Sequence, residues 1–204
     1  MEILLATHNP AKFLRYQRLL KDVANLNLLT LSNVNISIKV DEPYDNAKEN
    51  AVYKAKEYAK MSGLPTIAID EATSTNFLPD NEQPGVFVRR FANKEKEMTD
   101  NESLEVWHEL FQKYPQNPKR FIWDFSIAYF NPQSDKLHYS KVVMESKVAE
   151  KFSDRIEKGY PMSSFLIIDG SSKPYVELSD EEKLAVDKSF FKNFLNSFSR
   201  WIKV

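Results

Sequence analysis

The chain has no cysteine, which excludes disulfides, thiolate metal sites and a cysteine nucleophile. Glycine is scarce. The four present form neither a G-x-G-x-x-G nor a G-x-x-x-x-G-K-[ST] pattern, so any phosphate cradle must be built without a glycine-rich loop. No apolar run approaches the roughly 20 residues of a membrane-spanning helix. The opening Met1-Glu2-Ile3-Leu4-Leu5-Ala6 has neither the basic n-region nor the long apolar stretch of a signal peptide. A cytoplasmic protein without a membrane partner is expected. Positive charge is not in excess either. The formal net charge is −1, which lacks the basic footprint of a nucleic-acid binder, so no nucleic-acid partner is expected. His8, His108 and His138 are scattered without ligand spacing.

With 204 residues, 42% of them hydrophobic, the chain can bury a substantial core within one domain. Glu2 to Thr7 reads as a buried strand that runs into His8-Asn9-Pro10, where Asn9 can cap a helix and Pro10 can occupy its first position. That helix extends to about Lys21. Leu26–Leu31 and Asn35–Val40 read as strands, the second because Ile36, Ile38 and Val40 alternate with polar residues. Asp45 is placed to cap a second helix over about 46–62, with Gly63 as its stop. Thr66–Asp70 is a further buried strand. A third helix starts at Thr99 or Asp100 and runs to about Tyr114. Phe121–Phe130 and Lys136–Ser146 are two long antiparallel strands, and Phe165–Ile168 is a short one. Ser179-Asp180-Glu181-Glu182 is a capping box that opens a final helix bearing Phe190, Phe191, Phe194, Leu195, Phe198 and Trp201. The mixture predicts an α/β fold with an elongated mixed β-sheet and flanking helices.

Three places could carry chemistry. At Thr7-His8-Asn9-Pro10-Ala11-Lys12 a strand passes directly into a helix, whose N-terminus suits an anion. Lys12 in the first turn is disfavoured by the helix dipole, a conflict that a bound phosphate would remove and a solvent-facing lysine would simply tolerate. Lys54 falls inside the apolar stripe Ala47, Ala51, Tyr58, Met61 of the second helix. It either snorkels to water or reaches into an anion site, because an unpaired buried ammonium costs several kcal/mol. Asp70 ends an apolar strand, where open α/β sheets place ligands. With Glu42, in the loop before Pro43, it makes a pair of carboxylates suited to a hard cation such as Mg2+.

Taken together these segments resemble the non-canonical purine nucleoside-triphosphate pyrophosphatases, the inosine triphosphatase family. Thr7-His8-Asn9-Pro10-Ala11-Lys12 looks like the family's T-x-N-x-x-K opening. Glu49 to Lys56 looks like its E-N-A-x-x-K-A helix, and the strand ending at Asp70 like its acidic strand end. Pro84 to Phe91 resembles P-G-x-Y-S-A-R-Y, with Arg90 at the arginine, and Glu177 to Lys183 resembles A-E-L-x-x-x-x-K. Glu42 lies twelve residues before Lys54 and Asp70 sixteen after it, a spacing similar to that of the family's metal-binding Glu and catalytic Asp.

The resemblance implies an inosine triphosphatase-like fold spanning 1–204, a single domain with two lobes around a central cleft, and a homodimer. It implies Mg2+-dependent hydrolysis of a non-canonical purine triphosphate to monophosphate and pyrophosphate, by attack at the α-phosphorus. Thr7, Asn9, Lys12, Lys54, Arg90 and Lys183 would bind the nucleotide and its phosphates. Glu42 and Asp70 would hold the metal, and Asp70 would be catalytic. There are departures. The acidic pair is Ile69-Asp70, followed by Glu71-Ala72. Arg15 replaces a glutamate, Lys158 to Ser163 replaces an aromatic-Gly-aromatic-Asp-Pro segment, and Asp187-Lys188-Ser189 replaces Ser-His-Arg. They leave two alternatives open: an enzyme for another nucleotide, or a nucleotide-binding or interaction protein that has lost catalysis.

Overall fold

The computed structural model describes residues 1–91 and 96–203. In chain order its elements are β1 (Glu2–Ala6), α1 (Pro10–Leu20), β2 (Asn27–Leu29), α2 (Ala47–Ser62), β3 (Thr66–Thr75), α3 (Asp100–Lys113), β4 (Arg120–Asn131), β5 (Lys136–Val148), β6 (Leu166–Ile168) and α4 (Asp180–Trp201), with short 3-10 turns between some of them. The strands form one mixed sheet in the order β2-β1-β3-β4-β5-β6. β1 runs parallel to β2 and β3, and antiparallel pairing continues from β3 through β6. This is the expected α/β architecture. None of the described helices is long and apolar enough to cross a membrane.

Strand alternation sends successive side chains to opposite faces, and each face has its own helices. On one, α2 lays Ala51, Ala55 and Tyr58 against Leu4, Ala6, Ala68 and Ala128. Small residues on both sides let this helix lie close to the sheet, which brings Lys54 within reach of β3. On the other face, α1 and α4 bury Tyr16, Leu19, Leu20, Phe191, Phe194 and Phe198 against Phe125, Ile127 and Tyr129. The aromatic face of α4 is therefore core. Trp107 of α3 is fully buried against the same cluster.

The helix signals hold with one shift of register. Asn9 caps α1, Gly63 ends α2 in the left-handed conformation, and Thr99 and Ser179 each form a complete capping box. The cap of α2, however, is Asn46, whose side chain accepts from the Lys48 and Glu49 amides, and Asp45 lies outside the helix. Met61, expected in the apolar stripe of α2, is exposed. The strand expected over Asn35–Val40 does not form. Asn35 sits at φ 55° and turns the chain, Ile38 is exposed, and the Val40 amide donates to the Tyr58 hydroxyl instead of joining a ladder. β3 is longer than expected, because Glu71 to Thr75 pair with Phe125 to Phe121 of β4.

Candidate functional site

The pair Ala6–Ala68 is the last that joins β1 to β3. There β1 turns into α1, while β3 continues against β4. The β3 edge vacated by β1 opens a cleft of about 360 Å3. Asp70, expected at a strand end, thus lies in mid-strand, two residues beyond the last pairing with β1 and on the vacated edge. Thr7, Asn9, Lys12, Glu42, Lys54, Asp70 and Arg90 all line this one cleft.

Lys54 stands at its centre, 7% exposed. Its ammonium lies 2.5 Å from Glu42 Oε1, 3.0 Å from Asp70 Oδ1 and 2.9 Å from the Ile69 carbonyl. One turn earlier on the same face of α2, Asn50 donates to Asp70 Oδ2 (3.1 Å) and to the Tyr44 carbonyl (2.8 Å), tying β3 to the loop that carries Glu42. Arg90 approaches Glu42 from the other side at 3.7 Å. Burial, joined by the Glu42 charge, pushes the Asp70 carboxyl above its ordinary value against the pull of Lys54. Burial acts on Glu42 too, but there the charge and hydrogen bond of Lys54 prevail and hold its carboxyl below the ordinary value. Burial would also weaken the Lys54 ammonium; the two carboxylates outweigh it and raise its pKa. The trio thus carries one firmly ionised carboxylate and one with raised basicity.

On the opposite face of β3, Glu71 forms an ion pair with Lys12 of α1 at 3.3 Å. Consecutive residues of one strand therefore receive lysines from opposite sides of the sheet. The start of α1 offers fewer free amides than its sequence suggests. Pro10 has none, and Asn9 Oδ1 already accepts from Ala11 (2.9 Å) and Lys12 (3.3 Å). Thr7 Oγ1 accepts from the Asn9 amide at 3.1 Å. Asn9 Nδ2 donates to the Gly159 carbonyl at 2.8 Å, and the Gly159 amide donates to Asp100, which also pairs with Arg89 at 2.7 Å. These links clasp the Lys158–Met162 segment over one end of the cleft. Lys183 does not line the cleft. Its ammonium is paired with Glu157 at 3.3 Å and packs 5.1 Å from the Tyr175 ring.

Several residues of the site went unassigned in the sequence. Asn50 sits four residues before Lys54, so helical periodicity alone would have put both on one face. Nothing local flags the Arg89–Asp100–Gly159 links, or Trp123 and Tyr160 on the cleft wall.

The donor set fits a hard divalent cation. Among the described residues no group of three or more His, Asp or Glu stands ready as a metal cage. Glu42 and Asp70 nevertheless converge on one nitrogen, and two carboxylates completed by water and phosphate oxygens is the usual pattern for Mg2+. The charge balance agrees. Among the described residues the cleft is lined by Lys12, Lys39, Lys54, Arg89, Arg90 and Lys158 against Glu42, Asp70, Glu71, Glu97 and Asp100, six cations for five carboxylates. Alone, that leaves little net attraction for a polyphosphate of several negative charges.

The model of the Ham1 family matches residues 3–190. The chain is 27% identical over 188 residues to a dITP/XTP pyrophosphatase of Coxiella burnetii, covering 91% of this chain and 90% of that protein. It is likewise 27% identical over 203 residues to a dITP/XTP pyrophosphatase of Leptospira interrogans serogroup Icterohaemorrhagiae serovar copenhageni, covering 99% and 97%. A solved structure of a HAM1 protein from Coxiella burnetii superimposes with a TM-score of 0.74 at 25% identity, over 100% of this chain and 98% of that one.

Proposed function

The chain belongs to the Ham1 family, and from that premise we propose that it is a nucleoside-triphosphate pyrophosphatase, cleaving a non-canonical purine triphosphate to the monophosphate and pyrophosphate. The observation that carries this reading is the convergence of Glu42, Lys54 and Asp70 in one cleft with Lys12 and Arg90 on its walls. The named activity of the relatives, dITP/XTP pyrophosphatase, supports it.

In this reading Glu42 and Asp70 would hold Mg2+, which when bound offsets phosphate charge and acidifies water. Lys12 and Arg90 take the phosphates, each exchanging a carboxylate partner for a phosphate oxygen. Lys54 keeps its bond to the Ile69 carbonyl, which fixes its ammonium at the rim of β3. Asp70 orients the attacking water and accepts its proton. Asn50 holds the second oxygen of Asp70 and Lys54 the first, which fixes the carboxylate in the cleft. Thr7 and Asn9 shape the turn that presents Lys12. Lys183 serves the nucleotide by anchoring Glu157, next to the Lys158–Met162 segment. Residues 1–204 act as one domain with two lobes around the cleft; a homodimer and a cytoplasmic place belong to the same reading.

The test is pyrophosphate release from ITP, dITP and XTP with Mg2+. Asp70→Asn is expected to lower the rate at least a hundredfold while the protein remains folded by circular dichroism. Wild type and variant running equally fast would sink the assignment. One observation favours a second reading, binding without turnover: Glu71 occupies Lys12. Saturable nucleotide binding with no pyrophosphate released would establish it.

A further inference from the structure

We propose that Tyr58 and His8 are positioning residues for the metal: they hold the backbone just before Glu42, and so set how tightly the cleft takes a divalent cation. The inference rests on the reading above, in which Glu42 and Asp70 would hold Mg2+.

Glu42 stands on a loop that joins no strand, between the turn at Asn35 and the start of α2. Its main chain is tied to α2 on both sides. Beyond Glu42, the Tyr44 amide donates to Asn50 Oδ1 at 3.0 Å and the Tyr44 carbonyl accepts from Asn50 Nδ2 at 2.8 Å. Before it, the Val40 amide donates to the Tyr58 hydroxyl at 3.0 Å, and the buried Val40 side chain packs in the same core cluster as Tyr58. Asn50, Lys54 and Tyr58 follow one another at intervals of four residues, so they form a row along one face of α2. The outer two grip the backbone on either side of Glu42, and Lys54 between them meets its carboxylate. That spacing fixes where the carboxylate stands.

His8 adds a tie from a different element. Its Nε2 lies 3.3 Å from both the Ile38 carbonyl and the Tyr58 hydroxyl, and that hydroxyl is 3.3 Å from the same carbonyl. Ile38 is exposed, so its carbonyl and not its side chain anchors this end of the loop. A phenol has one hydrogen to give. With a proton on Nε2, His8 and the Val40 amide donate to the Tyr58 oxygen, Tyr58 donates to Ile38, and every group is used. With Nε2 bare, the single Tyr58 hydrogen would have to serve His8 and Ile38 at once. Tyr58 is 2% exposed, which leaves water little access to make up a lost partner. His8 sits between Thr7 and Asn9, so these contacts join the turn that presents Lys12 to the loop that presents Glu42.

The experiment titrates Mn2+, a hard ion whose free concentration is read by electron paramagnetic resonance, against the full chain without nucleotide. Wild type is expected to bind the ion saturably and Asp70→Asn to lose it. Tyr58→Phe removes the hydroxyl and keeps the ring; it is expected to weaken Mn2+ about tenfold, as loss of a group that orients a metal ligand does. Its affinity for inorganic tripolyphosphate, measured by calorimetry in EDTA, is expected to change less than about twofold, since Lys12 and Arg90 are untouched. His8→Ala is expected to weaken Mn2+ about threefold, and His8→Gln, whose side-chain amide can donate in place of Nε2, to restore it to within about twofold of wild type. Wild-type Mn2+ affinity in Tyr58→Phe, an equal loss of tripolyphosphate, or a His8→Gln defect as large as that of His8→Ala would each overturn the proposal. Failure of the underlying reading looks different: wild type itself would then bind no Mn2+ that Asp70→Asn removes, and the positioning role would fall with it.

Discussion

At Lys54 an ammonium that is 7% exposed faces two carboxylates and a main-chain carbonyl, and all three of its hydrogens are used. Its place in the apolar stripe of α2 was legible from helical spacing, which also said that such a lysine needs a partner. Which partner was not legible, because Glu42 and Asp70 lie on other elements. Lys54→Met is expected to lower stability by about 3 kcal/mol in urea unfolding, as it leaves the buried Asp70 and the half-buried Glu42 without the cation between them. Millimolar Mg2+ should then raise the variant's melting temperature more than that of wild type, since the metal no longer competes with the ammonium. A variant as stable as wild type and indifferent to Mg2+ would show that the carboxylates do not share one site. Arg15 and Asp187 teach the complementary point. Each was a departure from the family pattern on its own, and only the fold shows that they are partners across 172 residues. Arg15→Met leaves Asp187 at 0% exposure with the Tyr175 hydroxyl as its remaining hydrogen bond, a loss expected to cost about 3–5 kcal/mol. The double variant Arg15→Met/Asp187→Leu should recover most of that in the same unfolding assay, because apolar side chains of similar volume can replace a buried ion pair at little cost.

Elements are where local sequence spoke most clearly, and where its failures have identifiable causes. Caps and stops delimited α1, α2 and α3 to within a residue or two, and a capping box placed the start of α4, since they depend on neighbours in the chain. The choice of Asn46 over Asp45 did not: both are good capping residues, and the extended backbone at Asn46 decides which one reaches the free amides. The alternation over Asn35–Val40 resembled a strand, but a strand needs an edge to pair with, and Asn35 turns this segment away from one. At the Lys158–Met162 segment the deciding contact is glycine's. Gly159 has φ +85°, and an added Cβ would lie 2.5 Å from Asn9 Oδ1, the oxygen that caps α1. Gly159→Ala is therefore expected to cost about 1 kcal/mol for the left-handed backbone and about another 1 for the disturbed cap. Urea unfolding measures the sum, and a change under 0.5 kcal/mol would mean that the clasp is not closed in solution.

For the molecule as a whole, a near-neutral cleft is the reason the proposed function would call for a metal. Among the described residues six lining cations against five carboxylates attract a triphosphate only weakly, and a divalent ion would tip the balance. Excess EDTA is expected to abolish pyrophosphate release and to weaken triphosphate binding at least tenfold, with Mg2+ restoring both. Binding that is unchanged by EDTA would contradict the charge argument.

The amino-acid order determined the helix ends, the long antiparallel strands, the split between apolar and polar faces and the presence of lysines where lysines are costly, because all of these follow from periodicities and caps within one element. The tertiary structure alone decided where β1 stops against a longer β3, which carboxylate each lysine meets, and that Arg15 finds Asp187. Those outcomes depend on distances between elements far apart in the chain, and desolvation gives a charge its meaning only once its neighbours are in place.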